Sequence, residues 1–127
     1  MNRDRGSVTA FFVGIVPVFV LSAGLVVDGA RVVSGRVAVG DHAENAARLA
    51  AQEVELIRLG WRVVDPDRAR SVAMAYLRSH DLEGSVRVEP RSVTVEAMDT
   101  VPTALLDLVG RDDYIVRETR TAEISDS

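Results

Sequence analysis

The sequence predicts an α+β protein. A long N-terminal helix, membrane-spanning in its first part and amphipathic in its second, leads into a small antiparallel-sheet head with packed helices. Three observations predict this. Residues 7–27 carry no charge, apolar residues then recur at helical spacing as far as Trp61, and beyond that helical and strictly alternating segments take turns. Four parts follow: a leader-like tail at 1–6, a transmembrane helix at 7–27, its amphipathic extension at 28–60, and an α+β head at 61–127.

The span rests on composition. Thirteen of the 21 residues from Ser7 to Val27 are Val, Ile, Leu or Phe. At about −0.3 to −0.6 kcal/mol each, they contribute roughly −4 to −8 kcal/mol toward insertion, and a helix of about 20 residues crosses the hydrocarbon core. Gly14 and Pro17 are tolerated in spans, and Pro17 predicts a bend. A cleaved secretory signal fits less well, because the run exceeds a usual apolar core and its best cleavage site, "LSA" at 21–23, contains Leu21. A buried core helix fits less well still, since the remainder is too short to wrap an all-apolar helix. Arg3 and Arg5 on one flank nearly balance Arg31 and Arg36 on the other. The very short N-terminal tail favours tail-inside topology, which puts residues 28–127 outside the cytoplasmic membrane. Asp28 and Arg31, spaced i,i+3, are a candidate pair at the membrane–water boundary.

Past Val27 the pattern becomes amphipathic. Val39, Ala43, Ala46, Ala50, Val54, Ile57 and Trp61 are spaced 4, 3, 4, 4, 3 and 4, a helical stripe that Gly60 would stop. A continuous helix over 7–59 would be roughly 80 Å long. Gly24, Gly29, Gly35 and Gly40 predict a bend or melted turn near the membrane surface. The stripe Ala43, Ala46, Ala50, Val54 and Ile57 is rich in small residues, as are Ala30, Ser34 and Ala38. Such a face suits close approach, by the protein's own head and by neighbouring subunits.

In the head, Asp65 and Pro66 mark a helix start with Asp as N-cap and Pro at the first position. That helix runs to about His80 and buries Ala69, Val72, Ala73, Tyr76 and Leu77. Residues 85–89 and 92–97 alternate at period two around Pro90-Arg91, a hairpin. Residues 101–110 read as a short helix ended by Gly110, and 113–124 as a third strand.

Composition excludes several functions. The net charge of −4 provides no basic field for nucleic acid. The absence of cysteine removes disulfides, thiolate metal sites and cysteine nucleophiles. His42 falls on a solvated helix face and His80 at a helix C-terminus, far apart in sequence and without metal-ligand spacing. No nucleophile–base or phosphate-cradling pattern stands out. The expectation is therefore a non-enzyme with no catalytic, cofactor-binding or metal residue.

Residues 5–52, "RGSVTAFFVGIVPVFVLSAGLVVDGARVVSGRVAVGDHAENAARLAAQ", resemble the TadE/TadG-like family of Tad (tight adherence, Flp) pilus assembly proteins. The shared features are Arg-Gly before the span, the mid-span Pro17, Asp28 and Arg31 after it, and the alanine-rich helix. The later "SVTVEAMDTVPTALLDLVG" followed by a strand resembles the membrane-distal part of such proteins. The resemblance implies a non-catalytic, membrane-anchored component of a Tad/Flp-type pilus or secretion system, minor pilin or pseudopilin in character. Its partners would be other pilus subunits, met through the span and the alanine-rich helix. Some such proteins are cut by prepilin peptidase just after a glycine that precedes the span, which marks Gly6–Ser7 as the candidate position, with an uncut, anchored chain as the other reading. Pilin-type substrates usually carry glutamate at the fifth mature position, where this chain has Phe11, a departure that favours an anchored or minor component over a bulk fibre subunit. The alternative is a single-pass cell-envelope binding or adaptor module unrelated to pili.

Overall fold

The computed structural model describes residues 3–56, 62–105, 107, 110 and 113–124. The helix α1 (Arg3–Ala51) is followed by β1 (Val54–Leu56), β2 (Arg62–Val64), α2 (Pro66–Ser79), β3 (Glu83–Glu89), β4 (Ser92–Pro102) and β5 (Asp113–Glu123). β3, β4 and β5 form one antiparallel sheet in that order, and β1 and β2 form a separate two-stranded ribbon. A long apolar helix with an α+β head packed on it is the predicted architecture.

α1 is a single helix of 49 residues, about 74 Å long at 1.5 Å per residue. It runs unbroken through Pro17 and through Gly24, Gly29, Gly35 and Gly40, so no melted turn interrupts it at the glycines. At Gly24 and Gly35 the head packs closely on the helix. A side chain at Gly24 would collide with Leu105, and a Cβ at Gly35 would lie 2.5 Å from Val101 Cγ2. These glycines are where the head comes nearest the helix axis, and the packing they permit offsets their roughly 1 kcal/mol helix penalty. Inside the apolar stretch, the Ser22 hydroxyl donates to the Val18 carbonyl at 2.7 Å, so that hydroxyl is paired within the helix.

The helix ends earlier than the stripe suggests. Gln52 N–H and Glu53 N–H bond the Leu49 and Ala50 carbonyls, each at 3.2 Å, tightening the last turn. Residues 54–56 then pair with 62–64 as strands, Val54 opposite Val64. The apolar spacing Ala50–Val54 fits a helix, but the Val-Glu-Leu and Arg-Val-Val segments supply each other's backbone partners, and pairing overrides the helical period. Val54 therefore belongs to β1, and the helical extension stops at Ala51, not at 59 or 60. Ile57, Gly60 and Trp61 lie outside the described residues.

α2 starts as read: Asp65 caps it, its side chain accepting from Asp67 N–H and Arg68 N–H, both at 3.1 Å. Ala69, Ala73 and Leu77 are buried, with Val72 and Tyr76 half-buried beside them. The hairpin closes with Glu89 opposite Ser92. β4 is longer than expected and pairs with β5 along its whole length, from Ser92 opposite Glu123 to Pro102 opposite Asp113. Val101 and Pro102 are thus strand, not the start of a helix, because β5 reaches far enough to hold them and Val101 fills the space over Gly35. Gly110 closes a turn, with φ +81° and its N–H on the Asp107 carbonyl at 2.9 Å. Residues 106, 108 and 109 of the expected short helix lie outside the described residues.

The core lies between α1, α2 and one face of the sheet. Alternate residues of β4, Val93, Val95 and Ala97, are buried, and they meet Val39 and Leu77 from the helices and Val116 from β5. The opposite face carries Thr94 bonded to Thr121 at 2.8 Å and Arg117 4.0 Å from Glu96.

Candidate functional site

Three faces of α1 carry the residues the sequence singles out. The first is the alanine stripe. Ala43, Ala46, Ala47 and Ala50 are each 0% exposed, packed into the protein's own core. Of the two uses that the small residues allow, the stripe serves the internal one, and a neighbouring subunit has no access to it in this fold. Small side chains are what let the sheet and α2 lie close along the helix.

The second face is the junction between span and head. Asp28 is 2% exposed. Its carboxylate accepts backbone N–H groups from Ala104 and Leu105, each at 2.8 Å. It therefore serves the chain leaving β4 as a capping aspartate serves a helix start, by accepting from two successive backbone donors. Leu105 drops onto Gly24, one turn nearer the N-terminus. Arg31 is exposed and lines a shallow groove with Val27, Ala30, Ser34, Val101 and Pro102. Above it, the Arg36 guanidinium donates to the Tyr114 hydroxyl at 3.2 Å and lies 6.0 Å from the ring centroid. The sequence marked Asp28 and Arg31 as a boundary. It gave no sign that Asp28 holds a segment 76 residues away in the chain, because a lone aspartate after an apolar run reads as a simple polar stop.

The third face points away from the head. Val26, Val33 and Val37 are 73%, 61% and 59% exposed. With exposed Ala30 they are spaced 4, 3 and 4, which puts them on one helix face. At 100° per residue that face is opposite Asp28, Gly35 and Ala46. The ridge continues the exposed apolar surface of the span about 15 Å past Val27, and above it Glu44 and Arg48 form an ion pair on the same side.

Gly6 and Ser7 fall in the first turns of α1. His42 departs from the solvated position expected of it: it is half-buried, with Nδ1 3.2 Å from the Tyr76 hydroxyl. His80, at the end of α2, stacks nearby at 4.6 Å between ring centroids. The fold brings the two histidines together as packing between α1 and α2. Among the described residues no group of three or more His, Asp or Glu side chains is disposed to hold a metal ion.

α1 is long and apolar enough to cross a membrane, and its apolar window is not buried by the rest of the protein. Its first 21 uncharged residues, at 1.5 Å each, match a hydrocarbon core of about 30 Å. Compared with known families, the stretch 6–53 matches the model of Flp pilus-assembly TadE/G-like proteins. The match covers 48 of the chain's 127 residues. The matched segment takes in nearly all of α1, with the apolar run, Asp28, Arg31 and the alanines of the stripe, and stops before the ribbon and sheet. No curated protein and no solved structure matches the chain.

Proposed function

We propose that this chain is a non-catalytic, membrane-anchored component of a Tad/Flp-type pilus assembly or secretion system, minor pilin-like, with its head outside the cytoplasm. The observation that carries the reading is the TadE/G-like match over residues 6–53. The TadE/G-like family is generally non-catalytic and belongs to the cell envelope. Its association with pilus machinery gives the class of partner.

In this reading residues 7–27 cross the bilayer, and Asp28 and Arg31 mark its outer boundary. Pilus subunits meet the chain along the span and along the outer ridge Ala30, Val33 and Val37, because the alanine stripe is already filled by the head. Prepilin peptidase cuts between Gly6 and Ser7. Phe11 then stands where a pilin-type glutamate would neutralise a neighbour's new amino terminus, a costly omission within lipid. The chain accordingly acts as an anchored or minor component and not as the bulk fibre subunit.

Two measurements test this. Mass spectrometry of the N-terminus, in membrane and sheared-surface fractions with and without prepilin peptidase, is expected to find a peptidase-dependent start at Ser7, chiefly in membranes. A start near Gly24 would mean an ordinary secreted protein. Cysteine cross-linking in cells should capture pilus components from Val33→Cys and Val37→Cys. Capture of no pilus component from either would favour an envelope adaptor unrelated to pili.

A further inference from the structure

The head reaches down the helix to a depth that the apolar run itself occupies. Leu105 packs on Gly24, which lies inside the uncharged stretch Ser7–Val27. Gly24 is three residues short of the end of that stretch, about 4.5 Å along the axis. α1 is one unbroken helix and carries both the span and the floor of the head, so the depth of one fixes the depth of the other. We propose that the tip of the head, Pro102–Leu105, is a second membrane contact, resting in the outer lipid boundary beside the span. The proposal depends on residues 7–27 being a membrane span.

The chemistry of the tip suits that place. A turn entering lipid must satisfy its backbone within the protein, since water is absent. Asp28 does this for Ala104 and Leu105, and at 2% exposure its carboxylate is turned to those N–H groups and not to the acyl chains. Pro102, Ala104 and Val27 are exposed and uncharged at this level, while the exposed carboxylates nearby, Asp113 opposite Pro102 and Asp107 beyond Leu105, belong with the headgroups and water. Arg31 is four residues past Val27, about 6 Å, which is headgroup depth. Tyr114, held by Arg36 at 3.2 Å, stands above it as an amphipathic ring with its polar end anchored. Uncharged side chains at Pro102 and Ala104, an arginine at headgroup level and a tyrosine at the rim form an order that suits a bilayer surface.

The absence of cysteine makes the test direct. Single-cysteine variants Ala104→Cys and Pro102→Cys at the tip, Val16→Cys in the span and Arg87→Cys on the distal strand are made in the full chain. Each is labelled with an environment-sensitive fluorophore and reconstituted in phosphatidylcholine vesicles, with and without lipid spin-labelled near the headgroup. Both tip sites are exposed, and Ala104→Cys keeps the backbone N–H that Asp28 holds. The expected result is blue-shifted emission from the tip probes and quenching by the shallow spin label several-fold stronger than at Arg87→Cys. Water-like, unquenched emission from both tip probes, with Val16→Cys clearly in lipid, would overturn the proposal and leave the span reading standing. Water-like emission from Val16→Cys would remove the span reading and this proposal with it.

Discussion

Asp28 shows how far one side chain can act in this fold. It closes the end of β4 onto α1 through two backbone N–H groups, one on each carboxylate oxygen. Asp28→Ala is expected to destabilise the head by roughly 1–3 kcal/mol, because both donors lose their partner where water is scarce. Asp28→Asn should cost less, keeping one acceptor. Chemical unfolding in detergent measures both, and equal stability of wild type and Asp28→Ala would show the clamp contributes nothing. The glycines give a contrast on the same helix. A Cβ at Gly29 meets nothing within 4 Å, whereas at Gly35 it lies 2.5 Å from Val101 Cγ2. Gly29→Ala should therefore gain up to about 1 kcal/mol of helix propensity, and Gly35→Ala should lose roughly 1–3 kcal/mol to overpacking. Thermal melts of the pair decide whether the glycines serve contact or flexibility: opposite signs mean contact.

Among the elements, α1 divides its labour by face, and substitutions should follow that division. Ala46→Leu or Ala50→Leu forces side chains into a filled core and is expected to cost roughly 1–3 kcal/mol in head stability. Val33→Leu, on the bare ridge, should leave the melt unchanged. If Ala46→Leu melts like wild type, the stripe is not packed as described. α2 depends on its cap, and Asp65→Ala should cost about 0.5–2 kcal/mol in the same assay. Much of this organisation was legible in the sequence. The long apolar helix, the Asp65 cap, the hairpin at Pro90-Arg91 and the third strand are written in local chemistry: an uncharged run, a capping residue, strict alternation. What local chemistry does not carry is who pairs with whom. Val54 fits a helical stripe and a strand equally well, and only its partner Val64 decides. Val101 and Pro102 could open a helix until β5 arrives beside them. His42 and Tyr76 are 34 residues apart and meet only because α2 lies across α1. Asp28 reads as a polar stop for the same reason, its donors being far along the chain.

At the scale of the whole molecule the rod and the head are one folded unit, which changes what a head fragment can be. α1 supplies Val39, Ala43, Ala46, Ala47, Ala50 and Ala51, six of the sixteen buried apolar residues among those described. They cover the face of the sheet on which Val93, Val95, Ala97 and Val116 lie. Without that cover the sheet would present a continuous apolar surface to water, and three strands with one short helix cannot bury it. A domain of this size has a margin of only about 5–15 kcal/mol to lose, and fully burying one Val already accounts for about 1.5–3 kcal/mol. A fragment of residues 62–127 is therefore expected not to fold, whereas residues 28–127, which retain the helix from Asp28 onward, should melt cooperatively. Far-UV circular dichroism of the two fragments against temperature distinguishes them. A sharp, reversible transition from 62–127 would mean that the head stands without the rod, and that the alanine stripe is free for other subunits to occupy.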